Sequence, residues 1–157
     1  MNVLDLQGLE KWRCPFFARV CRRVLGEYLE SNGFSETSVD VTGVPTFSRF
    51  GVFLEVGYDL ESAPSYEPTV VLGVGEKTYD ESFQPCGVPF WYVIPGNLEE
   101  NKYSDWTFKT EAELEKVLAR IRDEVLELYA KPLWLNLDRL EKVISRFRAE
   151  FSSSSKA

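Results

Sequence analysis

Phe47-Ser48-Arg49-Phe50-Gly51-Val52-Phe53-Leu54-Glu55-Val56-Gly57-Tyr58-Asp59-Leu60 alternates with a period of two. Read as one strand, it puts Phe50, Val52, Leu54, Val56 and Tyr58 on one side. The other side takes Arg49, Gly51, Phe53, Glu55 and Gly57. Successive side chains of a strand point to opposite faces, so the pattern marks a half-buried strand with one core face. Thr69 to Glu76 repeats it, with Val70, Leu72 and Val74 set against Val71, Gly73 and Gly75. Val88 to Ile94 repeats it again, with Val88, Phe90, Tyr92 and Ile94 set against Trp91 and Val93. A shorter strand at Thr37 to Val41 precedes these, and Trp106-Thr107-Phe108 offers a short edge strand. The connections Thr42-Gly43-Val44-Pro45 and Ser62-Ala63-Pro64-Ser65 carry turn residues and suit an antiparallel meander.

On either side of this block the period is that of a helix. From Pro15 to Ser31, Phe17, Val20, Cys21, Val24, Leu25, Tyr28 and Leu29 form one apolar stripe, closed by Asn32-Gly33. Its other face carries Arg19, Arg22, Arg23, Glu27 and Glu30, read as a solvated helix face. Pro95-Gly96-Asn97 closes the sheet region, and Thr110-Glu111-Ala112-Glu113 is a capping box. The helix it starts buries Leu114, Val117, Leu118, Ile121, Val125 and Leu128 until Pro132 interrupts it. Leu133, Leu137, Leu140, Ile144, Phe147 and Phe151 give the last helix a near-heptad stripe. The fold class is therefore α+β: an N-terminal helix, an antiparallel sheet of about four strands and two C-terminal helices. One domain is expected over residues 1–151, with residues 152–157 as a disordered tail.

The chain contains no histidine, which removes the commonest general base and the commonest metal ligand. Cys14 and Cys21 are about 10 Å apart along a helix axis, too far for a disulfide, and Cys86 sits in a Pro-Cys-Gly turn. Three scattered thiols without a CxxC spacing are no zinc site. Gly73-Val74-Gly75 has Thr78 where a phosphate-binding loop needs its third glycine. No catalytic residue, metal or cofactor is assigned. No apolar run approaches the ~18 residues of a membrane span, and the first residues lack a signal-peptide pattern, so a cytoplasmic protein is expected.

The net charge of −7 is unevenly placed. Residues 34–110 hold twelve acids and four bases, a net −8, while residues 1–33 and 111–157 carry +1 and 0. Such a field attracts cationic partners and repels nucleic acid. Asp80-Glu81 and Glu99-Glu100 are paired loop acids, near Tyr79 and Trp106 respectively; they suit a surface for a basic protein, with solvated loop acids as the ordinary alternative. The second sheet face offers an alternative. There Arg49, Phe53, Glu55 and Trp91, beside glycines that supply no side chains, would form a shallow groove for a small molecule or peptide. Should the last helix or the N-terminal segment cover that face, Phe53, Val71 and Trp91 are core instead.

The layout, with Leu29-x-x-x-Gly33-Phe34 leading into strands, a capped helical C-terminus and overall acidity, resembles small bacterial α+β proteins of the immunity type encoded beside polymorphic toxins. That resemblance implies a non-enzymatic interaction module that neutralises a basic toxin through an acidic surface. It carries no specific motif, so no residue role follows from it.

Overall fold

The computed structural model describes residues 13–40, 42–59, 65–75, 78, 80–82, 84–94 and 106–156, with side chains through residue 150. Helix α1 (Phe17–Ser31) is followed by β1 (Ser35–Val39), β2 (Pro45–Arg49), β3 (Val52–Asp59), β4 (Glu67–Val74) and β5 (Gly87–Pro89). The five strands lie side by side in chain order, and every neighbouring pair is antiparallel. A single turn of helix, α2 (Phe90–Val93), follows β5. Then α3 (Glu111–Arg120), a π-helical stretch (Ile121–Ala130) and α4 (Lys131–Trp134) run on without a break, and α5 (Leu137–Lys156) closes the chain.

The architecture is α+β around an antiparallel meander, with differences of detail that have local causes. The strand expected over Val88 to Ile94 ends at Pro89, which has no N–H for a ladder. The chain then coils so that Phe90 is fully buried, and Ile94 N–H bonds back to Phe90 O at 3.1 Å. The edge strand at 106–108 is reduced to one bridge between Phe108 and Tyr66. The last helix continues to Lys156, through residues expected to fray. Pro95 to Asn97 lie outside the described residues.

Helix α1 ends as its sequence requires. Gly33 takes φ +86°, Phe34 N–H bonds to Leu29 O at 2.9 Å and Gly33 N–H to Glu30 O at 3.0 Å, the paired bonds of a Schellman motif. At the start of α3, Thr110 Oγ1 accepts from Glu113 N–H at 3.2 Å and Glu113 Oε1 accepts from Thr110 N–H at 3.1 Å. Arg19 and Arg23 of α1 reach Glu111 and Glu115 of α3, and Arg22 makes a two-pronged pair with Glu36 on β1. The charged face of α1 is thus laced to its neighbours rather than merely solvated.

Pro132 does not interrupt the third helical span. It lacks the N–H that an α-helix would direct to Leu128 O, and its ring would crowd that carbonyl. Just before it the winding is wider, with Lys131 N–H bonding to Leu126 O five residues back. The wider turn changes which side chains face inward. Leu126 and Ala130 join Ile121 and Val125 in the core, whereas Leu128, expected inside, is 59% exposed.

One hydrophobic cluster unites Val52, Leu54, Val56, Tyr58, Val70, Leu72 and Val88 of the sheet with buried residues of α1, α3, the π-helical stretch and α5. Leu54 and Leu72 face each other across β3 and β4, both fully buried. Leu54→Ala is expected to lower stability by about 2–5 kcal/mol in denaturant melts, since it loses transfer energy and leaves a cavity. A loss below about 1 kcal/mol would mean that this face is not the core.

Candidate functional site

Of the loop acids chosen from the sequence, Asp80 and Glu81 are described. Asp80 is an organiser of its own loop. Its Oδ1 accepts from Ser82 N–H at 2.8 Å and Gln84 N–H at 3.0 Å, and its Oδ2 lies 2.7 Å from Arg148 Nη2 on α5. Arg148 also donates to Pro85 O at 2.7 Å, so one side chain ties this loop to the last helix. The backbone N–H groups, with Arg148 alongside, hold the Asp80 carboxyl below the usual carboxylate range. Glu81 is exposed in the adjoining turn, and Glu99 and Glu100 lie outside the described residues. Trp106 is no exposed anchor. It is 9% accessible, with the Arg120 guanidinium 4.3 Å from its ring and Glu124 holding that arginine at 2.9 Å.

The proposed groove is also regrouped. Phe50 and Gly51 form a tight turn with φ 43° and 80°, so Arg49 stands directly opposite Val52. Reading 47–60 as one strand assigned Arg49 to the wrong side, because two turn residues reverse the chain between it and Val52. Arg49 belongs to the helix-covered face and donates to Trp134 O at 3.2 Å. Trp91 leaves the sheet because it lies on α2, where its ring meets Phe147 of α5 at 6.0 Å. Only Phe53 and Glu55 remain together on the second face.

That face is nevertheless distinctive. Phe53 is 1% exposed but stands apart from the main hydrophobic cluster. It pairs across the ladder with Gly73, which in turn pairs with Gly87. A Cβ on Gly73 would come within 2.4 Å of the Phe53 ring and 2.5 Å of Cys86 O, so both must be absent of side chains for the ring to lie flat. Beyond this ring the face reads Glu55, Gly57 and Asp59 on β3 and Val71, Thr69 and Glu67 on β4. Its strand positions include no Lys or Arg. Asp59 and Glu67 are direct cross-strand partners and both are exposed.

Glu55 is half-buried, and desolvation, with the charge of Asp40 second, raises its pKa. Asp40 organises the β1–β2 loop much as Asp80 organises its own, its Oδ1 accepting from Thr42 N–H and Val44 N–H, each at 2.9 Å. Sequence reasoning missed Asp40, Asp59 and Glu67. The signal for the last two was present, since Glu55 and Asp59 share parity with Phe53, and Glu67 shares parity with Val71.

Cys14 and Cys21 are buried and poorly placed for nucleophilic work. Burial raises the pKa of Cys14 and pushes Cys21 up to about 12. Among the described residues, no group of three or more acids and cysteines is arranged to hold a metal ion. Comparison with known proteins finds no matching family model, no matching curated protein and no matching solved structure.

The two perturbed acids titrate with opposite effects on stability. Asp80 has a lowered folded pKa, so its contribution is present at neutral pH and lost as pH falls through that value. Asp80→Asn should lower the melting temperature at pH 7, with the gap to wild type closing in acid. Equal melting at pH 7 would remove Asp80 from its organising role. Glu55 has a raised folded pKa, so its ionised form opposes folding above that value. Glu55→Gln should raise the melting temperature at neutral pH and make little difference below the ordinary carboxylate range, as followed by circular dichroism.

Proposed function

We propose that this protein is a non-enzymatic interaction module that receives a basic protein on an acidic surface, acting in the cytoplasm without a cofactor. In its concrete form it is an immunity protein that neutralises a basic toxin made alongside it. The observation that carries this reading is the separation of charge. The strand positions of the second sheet face bear Glu55, Asp59 and Glu67 with no basic residue, while Arg19, Arg22, Arg23, Arg120 and Arg148 are paired with carboxylates on neighbouring elements or turns. A face whose strand positions carry acids and no base speeds the encounter with a cationic partner and disfavours nucleic acid and anionic membranes. The burial of Cys14 and Cys21, which raises both thiol pKa values, and the lack of histidine support a role without catalysis. Capture of a small molecule or peptide on the sheet face has less support, because Arg49 and Trp91 are not part of that face.

The gene adjacent to this one is expected to encode a basic protein that arrests growth, with co-expression restoring growth and yielding a complex. Reversing the exposed Asp59, Glu67 and Glu81 to Lys should slow association with that product by about tenfold or more at low salt. The difference should shrink as salt rises, since exposed charges are screened beyond about 8 Å at physiological ionic strength. An unchanged association rate in stopped-flow mixing, with folding confirmed by circular dichroism, would sink the acidic-face reading.

A further inference from the structure

The elbow between the two C-terminal helical spans has the opposite character from the sheet face. Asn136 turns the chain there, its Oδ1 accepting from Arg139 N–H at 3.2 Å at the start of α5. The elbow encloses a cleft of about 330 Å³. Leu128, Tyr129 and Leu133 line it from the first span, and Arg139, Val143 and Arg146 from α5, with α2 contributing the remaining side. Residues 139, 143 and 146 follow the i, i+4, i+7 rule and so share one helix face, reaching about 10 Å along the axis.

Two independent features set this cleft apart from an ordinary surface dimple. Its apolar wall exists because of the π-helical winding. The 3.6-residue period would turn Leu128 into the core, whereas the wider turn leaves it 59% exposed at the cleft. Wide turns of this kind recur at functional sites. The second feature is electrostatic. Arg19, Arg22, Arg23, Arg120, Arg122 and Arg148, the other arginines of the helical segments, each have a carboxylate within 3.5 Å. Arg139 and Arg146 have none among the described residues, in a chain of net charge −7. Glu150, one turn beyond Arg146, lies instead beside the Tyr92 hydroxyl, whose pKa it helps to raise after desolvation.

We propose that this cleft binds a small organic anion. An aromatic or short aliphatic body packs against Leu128, Leu133 and Val143, and a carboxylate or phosphate head is held by Arg139 and Arg146. Guanidinium groups match both heads in geometry and charge. The volume lies at the lower end of small-molecule sites, roughly 300–1,000 Å³, which suits one or two rings rather than a long chain. The site is separate from the acidic sheet face and does not depend on it.

Calorimetric titration of the full chain with naphthoate, naphthyl phosphate, naphthylmethanol and inorganic phosphate tests the proposal. At least one of the two aromatic anions should bind with 1:1 stoichiometry, and the stronger of them identifies the head group. Naphthylmethanol and inorganic phosphate should each bind about tenfold more weakly or worse, since one lacks the charged hydrogen bonds and the other the apolar body. The double substitution Arg139→Gln, Arg146→Gln should weaken the aromatic anion by about tenfold or more. Leu128→Asp should weaken it likewise. All three positions are exposed, so circular dichroism should match wild type. Absence of binding by both aromatic anions, equal binding of the neutral alcohol, or indifference to the double substitution would each overturn the proposal.

Discussion

Phe50 and Gly51 join β2 to β3 with both backbones at positive φ, 43° and 80°, and that two-residue turn determines which side chains meet across the sheet. Turns of this hand match the right-handed twist of the flanking strands. With Arg49 opposite Val52, Phe47 falls opposite Leu54, and the core face of β3 is carried on into β4 through Leu72 and Val74. A slip of one residue would send Leu54 and Val56 to the face where Phe53 and Glu55 now stand. The turn is held at a cost. A phenylalanine in the left-handed region is disfavoured by about 1–2 kcal/mol, and this one is 88% exposed. The Arg49 guanidinium, 5.4 Å from its ring centre, offsets part of that, and Gly75 N–H clamps Gly51 O at 2.8 Å.

Much of the fold was legible because alternation and helical stripes are local signals. The core residues of β3 and β4, the Gly33 helix end and the Thr110 cap all depend on a few consecutive residues, and each stands where the pattern places it. The errors arose where a local pattern had to be carried across a reversal. Phe50-Gly51 lacks the Asn-Gly or Asp-Gly signature of a tight hairpin, so alternation appeared to run through it and Arg49 changed faces. Val88 to Ile94 has strand composition throughout. It coils after Pro89 because burying Phe90 outweighs the propensity of four residues. The candidate sites were less legible than the fold. Asp80 and Trp106 looked like surface recognition groups because their partners, Arg148 and Arg120, lie 68 and 14 residues away in the chain.

The π-helical stretch is the clearest case of one residue altering the surface of another. Pro132 cannot supply the α-helical hydrogen bond to Leu128 O, and the wider turn before it shifts the inward positions to Leu126 and Ala130. A side chain that a regular helix would bury is thereby delivered to the elbow beside Arg139 and Arg146. Overwound or underwound helix carries a cost in hydrogen-bond geometry. Here that cost keeps the span continuous and lets Leu133 and Trp134 reach the core, with Trp134 set edge-on to Phe34 at 5.0 Å.

Layering explains why the two charged surfaces persist side by side in a small protein. Arg19, Arg22, Arg23, Arg120 and Arg148 neutralise Glu111, Glu36, Glu115, Glu124 and Asp80, all of which lie within reach of helical side chains. The acids of the second sheet face are separated from those arginines by the thickness of the sheet and its core, about 10 Å in a packed layer. That distance exceeds the ~8 Å over which exposed charges act at physiological salt. The β3–β4 ladder meanwhile sets Asp59 directly opposite Glu67, an arrangement that disfavours the pairing of the strands. The core beneath, with Leu54 against Leu72 and Val56 against Val70, is what holds two like charges in register. Apolar packing on one face of the meander thus fixes which acids stand side by side on the other.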